Sequence, residues 1–210
     1  NNVLANKRAA HAIRGAVLAF RVQADATAKR YALKALAIPR LLPSTIWTRP
    51  TGAALAKLRT LMTDTVMGRY RRLRCPEVAM SVLGDPIRDD PWGAMIAHAL
   101  LAARRVLRKD ANRLQNFLGY IAGMLASGET PARPVDGPMS EVMRAIGDLQ
   151  LSGTVNVDNQ KFNLQRGNGP WIDLFHRSGD AVKSTIREWV RNTIMGQLAE
   201  KCNGEEPSRK

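Results

Sequence analysis

The sequence predicts a mainly α fold, a helical bundle with a small β-hairpin in its C-terminal part. Three observations lead there. Alanine is abundant and β-branched residues are sparse in the N-terminal half, which favours helix. Apolar residues recur at steps of three and four along most of the chain. The periodic stretches open on Asp or Asp-Pro and close on Gly or Pro. A chain of 210 residues is long enough for one sizeable core or two small ones.

Element by element, Ala10, Ile13, Val17, Phe20 and Ala24 form one apolar stripe of a first amphipathic helix, with Asn6 interrupting its start. Asp25 is placed to cap a second helix over residues 26–37, which Pro39 and Pro43 stop. A third helix over 52–67 buries Leu55, Leu58, Met62 and Val66 and ends at Gly68. Residues 77–83 read as a short helix ending at Gly84. Asp90-Pro91 is a start signal for a helix reaching about residue 109, with Trp92, Met95, Ile96, Ala99, Ala103 and Val106 inward and Arg104, Arg105, Arg108 and Lys109 crowding its end. Asp110 caps the next helix, which presents Leu114, Phe117, Leu118, Ile121 and Leu125. Pro131, Pro134 and Pro138 then mark a linker. Beyond it come a helix over 139–150, a hairpin pairing 154–157 with 161–164 around Asp158-Asn159, and a last helix over 180–200 carrying Val182, Ile186, Trp189, Val190, Ile194 and Leu198. The expected division is therefore 1–127 as a basic helical domain, 128–138 as linker, 139–201 as a small extension and 202–210 as a disordered tail.

Charge is distributed very unevenly. The chain carries a formal +14, yet residues 1–74 hold 15 Lys/Arg against only Asp25 and Asp64, while residues 75–210 hold 17 against 16 acids. A positive field packed into one segment points to a polyanionic partner and says little about fold. Lys7, Arg14 and Arg21 recur every seventh position, a row of cations about 10 Å apart on a helix. A plain solvated face would carry acids at i+4, and here Asp25 stands only at the helix end. Lys29, Arg30 and Lys34 follow on the second helix, and Arg69, Arg71, Arg72 and Arg74 make the densest run. A helix macrodipole accounts for one or two of those arginines, not four in six positions.

Several chemistries are excluded or disfavoured. Cys75 and Cys202 lie far apart and show no knuckle spacing with His11, His98 or His176, which fits a reduced, intracellular setting and leaves no zinc site. No run of about 18 apolar residues exists to span a bilayer, and the start lacks a signal-peptide core. The start also lacks a Met, which suggests a fragment or a processed end. Asp89-Asp90 is the only adjacent carboxylate pair in a turn, and it reads as a helix cap before Pro91 rather than as a magnesium pair. Gly167-Asn168-Gly169-Pro170 reads as a turn, and no histidine has a nucleophile partner in a recognisable motif. Trp47, Trp92, Trp171 and Trp189 read as core residues. Stacking on a base or sugar is the lesser alternative, open only to Trp47 and Tyr70, near Arg49 and Arg69.

Residues 7–68 resemble a known arrangement. An Ala/Arg-rich helix, then Lys34-Ala35-Leu36-Ala37-Ile38-Pro39-Arg40, then a Leu-rich helix is similar to the thumb of non-LTR retrotransposon reverse transcriptases, just beyond the palm. Cys75-Pro76-Glu77-Val78 and Ile186-Arg187-Glu188-Trp189 are similar to segments of the same retroelement proteins. Two departures stand out: Pro43-Ser44 replaces the family's Tyr-Gly, and the Tyr/Phe-x-Asp-Asp catalytic box does not occur. The resemblance implies a C-terminal piece, without the palm, of an RNA-directed DNA polymerase. It implies that Lys7, Arg14, Arg21, Lys29, Arg30, Lys34, Arg40, Arg69, Arg71, Arg72 and Arg74 grip a template–primer duplex, with no catalytic or metal residue in this chain. Magnesium then belongs to the missing palm, the missing N-terminal polymerase domains are partners, and the location is nuclear. A freestanding basic helical nucleic-acid-binding protein is the alternative. A membrane-surface binder using the first helix ranks third, because that helix is Ala-rich.

Overall fold

The computed structural model describes residues 3–68, 78–79, 84–127 and 137–204. Arg69, Arg71, Arg72 and Arg74, with Tyr70, lie outside the described residues, as do most of the expected 77–83 helix, the proline-rich stretch 128–136 and the tail beyond 204. The described chain is mostly helical with a small three-stranded antiparallel sheet, as the sequence predicts.

The N-terminal layer contains α1 (Val3–Arg21), α2 (Ala26–Leu36), α3 (Ile38–Leu41), a 3-10 turn (Leu42–Ser44) and α4 (Gly52–Met67). Asp25 caps α2, accepting the Ala28 amide at 2.7 Å, and Thr51 caps α4. The second helix ends at Leu36, close to the expected bound. What the sequence did not announce is that the chain, still in αR at Ala37 (φ −96°, ψ −56°), starts the short separate helix α3, where Pro39 occupies the first turn and forfeits no intrahelical bond.

The buried face of α1 is not the expected one. Ala5, Ala9, Ala12, Ala16 and Ala19 are fully buried, whereas Ala10 and Ala24 are exposed and Ile13, Val17 and Phe20 are half-buried. Close approach decides this. The small face lets α1 lie against α3 and α4, and a Cβ added at Gly15 would stand 2.4 Å from the Leu36 carbonyl oxygen. Bulkier side chains on that face would hold the helices apart and forfeit their dispersion contacts.

The rest of the chain builds α5 (Pro91–Leu107), α6 (Ala111–Ser127), α7 (Pro138–Asp148), the strands β1 (Leu151–Asn156), β2 (Lys161–Arg166) and β3 (Ile172–Asp173), and α8 (Gly179–Gly204). The hairpin pairs Val155 with Phe162 and Gly153 with Leu164, and β3 adds Ile172 beside Leu164. Helix α8 runs to Gly204, past the expected end.

Two apolar clusters meet along α5. Ala94 and Met95 join Ala12, Ala16, Leu33, Leu41, Leu58 and Met62. Ile96 and Leu100 join Leu118, Val142, Phe162, Ile186 and Val190. The larger cluster draws side chains from both sides of the proline-rich stretch. At its centre Phe117, Phe162 and Phe175 sit with ring centroids 6.0 to 6.4 Å apart. Four expected core residues lie outside: Trp47 is 55%, Val106 51%, Leu125 39% and Trp171 43% exposed. Val106 and Leu125 extend helical stripes beyond the neighbours that cover them, Trp47 stands in the turn after Ser44, and Trp171 directly precedes β3. Gly93 is required where α5 starts, since a Cβ there would lie 2.1 Å from the Pro86 carbonyl oxygen.

Candidate nucleic-acid interface

The orientation of α1 sets its charges. With the alanine face inward, Lys7, Arg14 and Arg21 are all exposed, and so is Arg8, which the seven-residue spacing does not pick out. Among the described residues no carboxylate pairs with any of the four. Leu4 (55%), Leu18 (50%) and Val22 (47%) are exposed on the same helix and just after it.

The α2 cations are placed differently. Lys29 is half-buried with its Nζ 5.8 Å from the Phe20 ring centroid, a cation–π contact that ties α2 to the end of α1. Arg30 is half-buried and engaged. Lys34 lies 3.1 Å from an oxygen of Asp89, whose side chain is only 5% exposed. Its charge is therefore met inside the protein. Arg40 lies across α1, its Nη1 3.2 Å from where a Cβ on Gly15 would stand.

Lys34 belongs to a larger arrangement around the turn before α5. Asp90 caps α5, accepting from the amides of Trp92 and Gly93 at 2.8 and 3.0 Å, and pairs with Arg59 of α4 at 2.7 Å. Asp89 accepts the Asp85 amide at 2.6 Å. Asp85 in turn takes two hydrogen bonds from Arg187 of α8, at 3.0 and 3.2 Å. That hydrogen bond, against some desolvation, holds Arg187 above its ordinary pKa. One short turn thus collects a cation from each of α2, α4 and α8. The carboxylates cap and clasp, and among the described residues no cluster of three or more metal-ligating side chains occurs.

Arg49 is a second clasp. It bonds Glu141 at 2.6 Å and also Asp148, both on α7. Burial works against its charge, but the hydrogen bond and charge of Asp148, with those of Glu141, outweigh it and raise its pKa. Arg49 is therefore committed to α7, while neighbouring Trp47 remains 55% exposed.

The fold also assembles cations that sequence reasoning left as a helix end. Arg104, Arg105, Arg108 and Lys109 at the end of α5 meet Lys183 of α8 around a cavity of about 480 Å³. A second cavity of about 190 Å³ shares Leu101, Arg105 and Lys183 with it and continues past His98 to Arg88 and Arg187. Burial, then the charge of Arg105, lowers the His98 pKa. The crowding of basic residues after residue 103 was the available signal, and only the arrival of α8 turns it into a pocket. No helix among the described residues is long and apolar enough to cross a membrane. Comparison with protein-family models, with curated proteins and with solved structures finds no match for this chain.

Proposed function

We propose that the chain binds the sugar–phosphate backbone of nucleic acid, without reading bases, through the outer face of α1. One observation carries this: burying the alanine face leaves Lys7, Arg8, Arg14 and Arg21 exposed together with no carboxylate partner among the described residues. Such a row lowers its own repulsion by neutralising phosphates and releasing their counterions. The retroelement parentage, and with it the template–primer as ligand, is supported by the resemblance of residues 7–68. It predicts an in-frame Tyr/Phe-x-Asp-Asp within roughly 100–200 residues upstream, about one palm domain. A stop codon close upstream would leave the freestanding reading.

The test of binding is its salt dependence. If about six phosphates are neutralised, the log–log slope of affinity against salt is near roughly −5 on B-form DNA. Reversing Lys7, Arg14 and Arg21 to Glu removes at least three contacts and flattens that slope by about 2.7. A flat slope in the unaltered protein, or an unchanged slope in the triple variant, overturns the proposal.

A second reading is favoured by Leu4, Leu18 and Val22, which stand exposed among these cations. A face mixing cations with aliphatic side chains also suits an anionic membrane surface. Co-sedimentation with phosphatidylserine vesicles that persists when excess duplex DNA is present supports that reading, and loss to DNA removes it.

A further inference from the structure

We infer that the pocket between the end of α5 and the start of α8 is a binding site for a multiply charged phosphate group. The inference is independent of the α1 surface and lies in the half of the chain whose net charge is close to neutral.

Arg104 is the built element. It is only 9% exposed, its Nη2 donates to the Arg177 carbonyl oxygen, and its Nε is buried without a partner. A buried guanidinium donor left unpaired costs free energy until an acceptor arrives. Around it stand Arg105, Arg108, Lys109 and Lys183, all exposed, and among the described residues no carboxylate pairs with any of them. Burial first, then the charge of Arg108, pushes the Arg104 pKa down, with Asp173 countering. Asp173 is itself engaged by His176 and by the amides of Phe175 and His176. Asp180 is exposed in the first turn of α8.

The bland account is that basic residues complement a helix C-terminus. It covers Arg104 and Arg105 in the last turn of α5. It does not extend to Lys183, which comes from the N-terminal part of α8, where no helix C-terminus is present for a cation to complement. Five cations gathered from two helices remain in mutual repulsion unless an anion joins them. Planar guanidinium groups select tetrahedral oxyanions that accept several bonds at once. The cavity, about 480 Å³, falls within the ordinary range of small-ligand sites, roughly 300–1,000 Å³, and admits more than a single phosphate. The phosphate can be free, as a short polyphosphate, or can be the 5′ end of a nucleic acid.

The experiment is calorimetric titration of the full chain at fixed ionic strength with sodium tripolyphosphate, and separately with one oligonucleotide bearing either a 5′-phosphate or a 5′-hydroxyl. Two variants accompany it: Arg108→Glu with Lys183→Glu, both exposed, and the Lys7, Arg14, Arg21 triple reversal. The expected result is saturable binding of tripolyphosphate, a preference for the 5′-phosphate over the 5′-hydroxyl oligonucleotide, or both. The tripolyphosphate affinity, or that preference, falls by at least about tenfold in the pocket variant and is kept in the α1 variant, whatever the α1 variant does to overall oligonucleotide affinity. A preference for the 5′-phosphate over the 5′-hydroxyl of about tenfold or more identifies a nucleic-acid end as the source. Tripolyphosphate binding without that preference identifies a free phosphoanion. Absence of both tripolyphosphate binding and a 5′-phosphate preference, or their persistence unchanged in the pocket variant, overturns the inference.

Discussion

At the residue scale, exposure and pairing separate side chains that look alike in sequence. Lys34 and Arg14 are both basic helical residues, yet one faces a buried carboxylate and the other faces solvent. His98 shows how the surroundings of one side chain become a property of the fold. Its pKa is lowered by burial and by Arg105, so in the folded state it takes up a proton less readily than in the unfolded chain. The unfolded chain therefore binds more protons as pH falls, and stability drops below an onset near the ordinary value of 6.5. Thermal melts between pH 7.5 and 5 are expected to show this decline. His98→Gln removes the part that belongs to His98, and an identical decline in that variant refutes the assignment.

At the element scale, helix starts were legible because a capping residue and its amides are close in sequence. Asp25 and Asp90 both cap as expected. The second role of Asp90 was not legible, because Arg59 reaches it from α4 through tertiary packing. Asp90 is fully buried, so Asp90→Ala loses the cap and also strips Arg59 of this carboxylate. Breaking such a buried pair costs about 3–5 kcal/mol. Asp90→Asn keeps a capping oxygen and loses only the charge. Chemical denaturation is expected to rank the three proteins as unaltered, then Asn, then Ala. Equal stability of Asn and Ala variants shows that the cap contributes nothing.

At the scale of the whole molecule, the two apolar clusters are tied by α5 and by ion pairs between distant segments. Arg187 and Asp85 are 102 residues apart, and Arg49 and Glu141 are 92 apart. A basic residue used in such a tie has a different phenotype from one on the surface. Lys34→Met leaves a buried Asp89 oxygen without its cation and is expected to cost about 1–3 kcal/mol. That lowers the melting temperature by roughly 2–4 °C per kcal/mol in a chain of this size and leaves the salt slope of nucleic-acid binding unchanged. Arg14→Glu is expected to do the reverse, with the slope reduced by about 0.9, since one phosphate contact is lost. A salt slope altered by Lys34→Met, in protein that is still folded, would return Lys34 to the binding surface.

The sequence by itself determined where most of the helices begin, that a hairpin turns around Asp158-Asn159, and that the first third carries nearly all of the net charge. These features depend on neighbours within a few residues, where periodicity and capping chemistry act. Tertiary structure decided which face of α1 is buried, since helices close only where alanine and Gly15 allow their backbones to approach. It also decided which cations are committed and which are offered. Lys34, Arg49, Arg59 and Arg187 find carboxylates on distant segments, while Arg105, Arg108, Lys109 and Lys183 are brought together without one among the described residues. Charge is a property of composition, but its neutralisation is a property of contact.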